Sequence, residues 1–234
     1  MAVGSGLHGA VAERWNGKQW SIRRIRGDDG LVAVSCVSNT ACSALGSRTT
    51  YAAGVFCAKA LVEHWNGSRW SHEFSSDFGV CSSGYIATLN ALSCTASRAC
   101  TAVGGTQPEE GPGGSPIALQ WDGKRESIPD FGAGNTERYL LDGASLKGVS
   151  CTTADECTAV GDLGNAGSTL VESWNGTSWT IEPTPGSSSS NAPSLSDVSC
   201  VPRGGCMAVG SAEFDVNPGL IVIKPAAEST FGPR

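Results

Sequence analysis

Short runs in which apolar and polar residues alternate, separated by turn residues, make up most of this chain. The clearest copy spans residues 148–183 and reads GVSCTTADECTAVGDLGNAGSTLVESWNGTSWTIEP. Alternation with a period of two, bounded by Gly, Asn and Ser, is typical of strands that bury one face. The pattern therefore predicts four strands in this copy, a to d in chain order: 146–151, 157–161, 170–174 and 179–182.

The same order of elements recurs along the chain. Further copies are found at 1–22, 33–74, 91–128 and 197–224, and a WNG or WDG element recurs at Trp15, Trp65, Trp121 and Trp174, with spacings of 50, 56 and 53 residues. A fixed period of this size is the signature of a repeat architecture. We therefore expect a single repeat domain over 1–225, with units at about 1–30, 31–90, 91–145, 146–194 and 195–225. Residues 226–234 are expected to form a loose C-terminal tail.

The repeat predicts an all-β fold, a β-propeller of four-stranded antiparallel blades clipped by disulfides. Five strand-b signatures, each close to Ala-Val-Gly, favour five blades. The first copy lacks strand a and the last lacks strand d, so an incomplete five-bladed arrangement is expected. Two alternatives stay open: a four-bladed ring in which the last strand a completes the first unit, and a chain that pairs its unfinished ends with a neighbour.

Asn-Gly between two apolar runs is a strong hairpin signal, because both residues tolerate the positive φ of a type I′ turn, and the loop is expected to have either two or four residues. The parity of the strands places the two tryptophans that flank the turn on one face, as a cross-strand pair. All seven tryptophans lie in this hairpin motif, so we interpret them as packing residues. In the third unit Glu126 replaces the second tryptophan.

Eight of the ten cysteines share one spacing, Cys-x5-Cys, that brackets the turn between strands a and b. We predict four disulfides, Cys36–Cys42, Cys94–Cys100, Cys151–Cys157 and Cys200–Cys206. Cys57 and Cys81 flank strands c and d of the second unit at one end of the hairpin, so a fifth disulfide is expected between them. Recurrent pairs of this kind indicate an oxidising compartment. The expected location is therefore secreted or cell-surface, with a signal peptide upstream of Met1.

Composition excludes several classes of function. The charged fraction is 16% and the formal charge is −6, which argues against binding to a phosphate backbone. No apolar run is long enough to span a membrane. With the cysteines assigned to disulfides, no cluster of metal ligands remains, and no cofactor motif is present. The sequence therefore predicts no cofactor, no metal, no nucleic acid and no membrane span.

The pattern VSC…CxAVG…WNGxxW resembles that of secreted actinobacterial proteins with tandem repeats, which are generally taken to be propeller-like. The resemblance covers nearly the whole chain and implies a propeller-like fold, with no established activity attached to it. The WNGxxW turn is also similar to the Asp-box of sialidase-type propellers. Asn and Gly are adjacent here, however, so sialidase chemistry is not transferred.

Connections a–b and c–d are short and constant, whereas b–c and d–a vary widely, as in 47–59, 105–116, 72–89 and 130–146. We call the two ends of the unit the stereotyped edge and the variable edge. Variable loops on a rigid scaffold commonly carry binding sites. The candidate ligand-binding residues are the aromatic and acidic residues of these loops: Tyr51, Asp77, Tyr85, Glu109, Glu110, Tyr139 and Asp142.

These residues suit a glycan, because sugar CH faces stack on aromatic rings and sugar hydroxyls donate to carboxylates. The predicted function is an extracellular module that binds a glycan or protein partner through the variable edge. Unfinished terminal units leave strand edges that favour self-association in a larger assembly. The alternative is a glycoside-active enzyme that uses two loop carboxylates. No triad or nucleophile elbow supports catalysis, and no catalytic residue is assigned.

Overall fold

The computed structural model describes residues 1–7, 9–25, 30–52, 55–76, 85–108, 113–123, 126–127, 142–164, 168–184, 193–211 and 220–224. This part of the chain forms five antiparallel sheets, called sheet 1 to sheet 5 in chain order. The all-β prediction is confirmed. Within each sheet the strands lie side by side in the order in which the chain makes them.

The strands have the following bounds. Sheet 1 contains β1 (Ala2–Gly6), β2 (Gly9–Trp15) and β3 (Trp20–Arg24). Sheet 2 contains β4 (Gly30–Ser38), β5 (Ala41–Ala52), β6 (Val55–Trp65) and β7 (Trp70–Ser76). Sheet 3 contains β8 (Tyr85–Ala96), β9 (Ala99–Pro108), β10 (Pro116–Trp121) and β11 (Glu126–Ser127). Sheet 4 contains β12 (Ser145–Thr153), β13 (Glu156–Asp162), β14 (Thr169–Trp174) and β15 (Trp179–Ile181). Sheet 5 contains β16 (Ser194–Cys200), β17 (Cys206–Ser211) and β18 (Leu220–Lys224).

The four strands predicted for 148–183 are confirmed as β12 to β15, with bounds that move by two residues at most. One connection differs from the prediction. The segment 47–59 was expected to be a variable loop, but β5 and β6 continue through most of it and pair as far as Ala52 opposite Val55. Thr, Tyr, Val and Phe, which fill this segment, fit a pleated surface well and extend the hairpin.

The four Cys-x5-Cys disulfides are confirmed. Each joins directly opposed residues of strands a and b in sheets 2 to 5, with Cα atoms 4.0 or 4.1 Å apart. Each bond closes a short loop, for which the chain-entropy model gives about 2 kcal/mol of stabilisation. Cys81 lies outside the described residues, so the Cys57–Cys81 bond stays a prediction.

The Asn-Gly hairpins have the longer of the two expected loops, and their asparagines do not adopt the positive φ of a type I′ turn. Trp15 and Trp20 are opposed in register, so the loop has four residues. Only the glycine adopts a positive φ, 96° at Gly17, while the asparagine does not. The Asn16 side chain instead accepts hydrogen bonds from the N–H groups of Lys18 and Gln19, both at 2.9 Å. The asparagine stabilises the turn through its side chain and not through its backbone conformation.

The predicted cross-strand tryptophan pairs are confirmed in three sheets. The ring centroids of Trp15 and Trp20 lie 5.7 Å apart, those of Trp65 and Trp70 5.7 Å, and those of Trp174 and Trp179 5.6 Å. In sheet 3, where Glu126 stands opposite Trp121, the aromatic neighbour comes from sheet 2. Phe74 meets Trp121 edge-on, with centroids 5.4 Å apart.

Each sheet packs face to face on the next, and we call each such interface a seam. Ala12 of sheet 1 packs with Ala44 of sheet 2, and Leu45 of sheet 2 with Leu119 of sheet 3. Val103 of sheet 3 packs with the Trp174–Trp179 pair of sheet 4. Val160, Val171, Leu195, Val198 and Ala208 fill the seam between sheets 4 and 5. The apolar core is therefore divided among the seams.

A hydrogen bond between strands a repeats at three seams. The N–H of Cys94 donates to Ser35 Oγ, that of Cys151 to Ser93 Oγ and that of Cys200 to Ser150 Oγ, each at 3.0 Å. The serine of each VSC or LSC motif therefore ties its sheet to the first cysteine of the next sheet. Because these N–H groups are partly buried, an unpaired one is costly.

Replacing the seam serine should lower stability where the next sheet donates a hydrogen bond to it, and should have little effect where no sheet follows in the described residues. We expect Ser93→Ala to lower the free energy of unfolding by about 1–2 kcal/mol, because the Cys151 N–H loses its acceptor. Ser199 holds the same repeat position in sheet 5, is exposed, and has no following sheet in the described residues. Ser199→Ala is therefore the matched control and should change stability little. Urea unfolding of both variants measures the difference, and equal effects would contradict a seam role for the serine.

Candidate functional site

A groove of about 690 Å³ opens between sheets 1 and 2, at their outer strands. Residues of β3, the last residues of β6, and the turn and first residues of β7 line it. Its lining includes Arg23, Arg24, Glu63, Trp65, Arg69, Trp70 and His72. The groove lies beside the Asn66-Gly67 turn of sheet 2, and hence towards the stereotyped edge.

The turn of sheet 2 fixes one wall of the groove. Asn66 Oδ1 accepts hydrogen bonds from the N–H groups of Ser68 and Arg69, both at 3.0 Å, and from Ser68 Oγ at 2.8 Å. Gly67 has a φ of 95°, a conformation that side-chain-bearing residues rarely adopt. The local sequence WNGSRW therefore holds the backbone of Ser68 and Arg69 rigidly at the mouth of the groove.

A buried carboxylate and an exposed imidazole form the floor and rim. Glu63 is almost fully buried on β6, and its Oε1 lies 3.4 Å from Nδ1 of His72, whose side chain is half exposed. His72 Nε2 lies 3.3 Å from Ser75 Oγ. The two residues are opposite each other in the β6–β7 register. Glu63 can thus orient an imidazole that faces solvent.

Aromatic rings and guanidinium groups supply the remaining chemistry. Trp65 is buried, and the guanidinium carbon of Arg14 lies 5.8 Å from its ring centroid, a cation–π arrangement. Trp70 is half buried. Arg23, Arg24 and Arg69 are exposed around the groove. Arg23 stands opposite Ala12, which packs on sheet 2, whereas the side chain of Arg24 leaves the other face of sheet 1. Arg23 and Arg69 therefore supply guanidinium groups to the groove, and such groups favour ligands with carboxylate, sulfate or phosphate groups.

The groove carboxylate belongs to a repeated position whose burial depends on the preceding sheet. Glu13, Glu63 and Glu172 each stand two residues before the first tryptophan of the hairpin. Glu63 and Glu172 are buried, whereas Glu13 of sheet 1 is exposed. Glu172 is 1% exposed, its Oε1 has no hydrogen-bond partner, and burial raises its pKa to about 8. The carboxyl of Glu172 is therefore protonated at neutral pH.

A second polar cluster lies between sheets 2 and 3. A register shift in β7 places Glu73 as an extra residue, and Arg98 Nε lies 3.4 Å from its Oε1. Burial raises the pKa of Glu73, and Arg98 opposes this rise. Burial, with a smaller contribution from Arg98, lowers the pKa of His64. Arg98 is half exposed, whereas Glu73 is largely buried.

The structure describes few of the site residues expected from the sequence. Asp142 is exposed in a turn beside Gly113, and the N–H of Gly143 donates to the carbonyl of Gly114 at 2.9 Å. Tyr85 opens β8 opposite Pro108, and Tyr51 pairs with Phe56 in β5 and β6. Asp77, Glu109, Glu110 and Tyr139 lie outside the described residues. A site built from these seven residues stays a prediction.

The groove itself was missed by sequence reasoning. The net charge of −6 gives no indication of arginines in a groove lining. The signal was present in the adjacent Arg23 and Arg24 of strand d in the first unit. That Arg23 and Arg69 line one groove depends on how sheet 1 lies on sheet 2, which the repeat pattern alone does not give.

The described ranges contain neither a cluster of metal ligands nor a membrane-spanning helix. No three His, Cys, Asp or Glu side chains of these ranges come together as a metal site would require. No helix in the described part of the chain has the length and hydrophobicity to cross a membrane.

Comparison with known proteins adds little about function. No family model and no curated protein matches the chain. Among solved structures, the chain is similar to the GH43 endo-arabinanase from Bacillus licheniformis, at 10% identity over 95% of this chain and 88% of that chain. The TM-score is 0.41, which is too low to carry a conclusion.

The pKa of Glu172 predicts a pH dependence of stability. Between pH 4.5, the ordinary pKa, and about 8, the folded state holds a proton that the unfolded state has lost. Stability should therefore fall as pH rises through this window, by up to about 1.4 kcal/mol per unit, and level off above it. Glu172→Gln should remove this slope, whereas Glu13→Gln, at the exposed equivalent position, should leave it. Unfolding free energies measured from pH 5 to 9 test this, and an unchanged slope in Glu172→Gln would refute it.

Proposed function

We propose that this protein is an exported binding module, an incomplete five-bladed propeller that recognises an acidic glycan. The groove between sheets 1 and 2 is the proposed contact surface in the described part of the chain. The variable edge, which is the opposite end of the unit, stays a separate proposed contact surface, with the seven loop residues predicted from sequence. The observation that carries this proposal is the presence of Arg23 and Arg69 in the lining of one groove of an otherwise acidic protein.

The four disulfides support export. Disulfides persist in oxidising compartments and are rare in reducing ones. They clasp the a–b turn in sheets 2 to 5, and the stereotyped edge is thus rigid. A rigid edge suits a binding surface, because little conformational entropy is lost when a partner binds.

The chemistry of the groove favours sugars that carry acidic groups. Guanidinium groups bind carboxylates or sulfates, Ser68 and Ser71 offer hydroxyl groups, and Trp70 presents part of an indole ring. Hydroxyl, charged and aromatic groups together match a uronate better than a neutral sugar. An acidic protein surface offers the same carboxylates without the sugar hydroxyls, and is the alternative partner.

Catalysis has weaker support than binding. Glycoside hydrolysis ordinarily uses two carboxyl groups about 5–9.5 Å apart across the bond that breaks. Among the described residues of the groove, Glu63 is the acidic residue, and its carboxylate is paired with His72. The glycosidase alternative therefore depends on the loop carboxylates Asp77 and Glu109.

Binding should weaken when a groove arginine is removed. We expect Arg69→Gln to lower the affinity for polygalacturonate by about tenfold, the size of one charge-assisted hydrogen bond. Arg203→Gln removes an equal charge from a turn of sheet 5 outside the groove and should change affinity little. Calorimetry or biolayer interferometry at two salt concentrations measures the effect, with dextran as the neutral polymer. Equal losses in the two variants, or equal binding of both polymers, would show that the groove is not the site.

The enzyme alternative has a direct assay. We expect no turnover of a panel of chromogenic glycosides, including arabinosides and uronides. Turnover that is lost in both Glu109→Gln and Asp77→Asn, and retained in Glu13→Gln, would replace the binding proposal with a hydrolase.

A further inference from the structure

Sheet 1 exposes an apolar face that its equivalents in the other sheets bury. On that face Trp15 is 47% exposed, Trp20 52% and Ile22 61%. The equivalent pair in sheet 4, Trp174 and Trp179, is 8% and 3% exposed because sheet 3 covers it. Exposed aromatic and aliphatic side chains gathered on one face mark an interaction surface.

Glu13 shows the same difference. Glu63 and Glu172 stand at the equivalent positions and are buried, whereas Glu13 is exposed beside Trp15. The hairpin motif is thus the same in sheets 1, 2 and 4, but among the described residues sheets 2 and 4 have a preceding sheet and sheet 1 has none. We call this surface the leading face, defined by Glu13, Trp15, Trp20 and Ile22.

Sheet 5 exposes the face that, in sheets 2 to 4, packs on the following sheet. Val209 occupies the repeat position of Leu45, Val103 and Val160, each of which is fully buried, yet Val209 is 44% exposed. Met207, at 50% exposure, replaces the hydroxyl residues Ser43, Thr101 and Thr158 of the other sheets. We call this surface the trailing face, defined by Met207 and Val209.

The leading face and the trailing face are complementary in the same way as the two faces that meet at an internal seam. At the seams between sheets 2 and 3 and between sheets 3 and 4, a trailing-type valine or leucine packs in one core with a leading-type tryptophan: Leu45 with Trp121, and Val103 with Trp174. Methionine at position 207 adds a flexible apolar side chain that contacts indole rings favourably. The trailing face therefore presents the surface that a leading face ordinarily meets.

We infer that the trailing face of one copy of this protein packs on the leading face of a second copy, forming a seam between chains. The described residues of one chain leave both faces open, and a second copy presents the matching face to each. The contact is head-to-tail and leaves one free face at each end until a ring of copies closes. Assembly continues the sheet-on-sheet packing across molecules. This inference is independent of the proposed glycan binding.

The test uses two variants of the full chain, and in each the apolar side chains of one face are replaced. The first is Trp15→Ser/Trp20→Ser, which alters the leading face, and the second is Met207→Ser/Val209→Asp, which alters the trailing face. The wild type should show a weight-average mass that rises steadily with concentration in analytical ultracentrifugation. Each variant alone should stay monomeric, with the association constant lowered at least about thirtyfold. Val37→Ser, an exposed apolar residue on neither face, should associate like the wild type.

Mixing the two variants gives the decisive result. The first variant keeps its trailing face and the second its leading face, so an equimolar mixture should form a one-to-one dimer and nothing larger. Circular dichroism and intact mass under non-reducing conditions confirm that both variants remain folded and oxidised. A wild type that is monomeric at every concentration would overturn the inference and indicate closure within one chain. Dimerisation of the second variant alone would overturn it in favour of leading-to-leading contact.

Discussion

Sheet-on-sheet packing is the interaction on which this structure depends. Each sheet is small, and its large apolar side chains lie on faces that only a neighbouring sheet can cover. The buried residues are accordingly distributed over successive seams, from Ala12 with Ala44 at one end to Val160 with Leu195 at the other. Stability in such an array is approximately the sum of what each sheet contributes and what each seam contributes. Disulfides and Asn-Gly turns shape the individual sheet, but the seam serines and tryptophans hold one sheet on the next.

The candidate site follows from the same packing. A groove exists between sheets 1 and 2 because their outer strands leave a gap at that seam, and its lining includes Arg23 of sheet 1 and Arg69 of sheet 2. The glutamate at one repeat position has a different environment in each of three sheets for the same reason. Glu13 is solvent-exposed, Glu63 is paired with His72 at the floor of the groove, and Glu172 is sealed between sheets 3 and 4 with a raised pKa. The environment that the preceding sheet creates, and not the local motif, decides what the carboxyl group can do.

Much of the fold could be predicted from the sequence, because strand, turn and disulfide signals are local and repeat. The strands of the fourth unit, the four Cys-x5-Cys bonds and the tryptophan pairs needed only alternation, spacing and parity. The sequence left a two-residue and a four-residue loop open, because the Asn-Gly signal does not distinguish side-chain hydrogen bonds of Asn16 from a left-handed backbone. The groove, the bulge that places Glu73 beside Arg98, and the edge contact of Phe74 with Trp121 could not be predicted. Each depends on residues from two sheets that are far apart in the chain.

Native-state hydrogen exchange on dilute, oxidised protein tests the dependence on seams most directly, since it reports the stability of each sheet separately. Sheets 2, 3 and 4 have a neighbour on both faces, whereas sheets 1 and 5 have one each among the described residues. We expect the slowest amide exchange at the central strands β5, β9 and β13, and markedly faster exchange throughout β1 to β3 and β16 to β18. Uniform protection of all five sheets in the dilute protein would contradict it, because equal protection requires every face to be covered within a single chain.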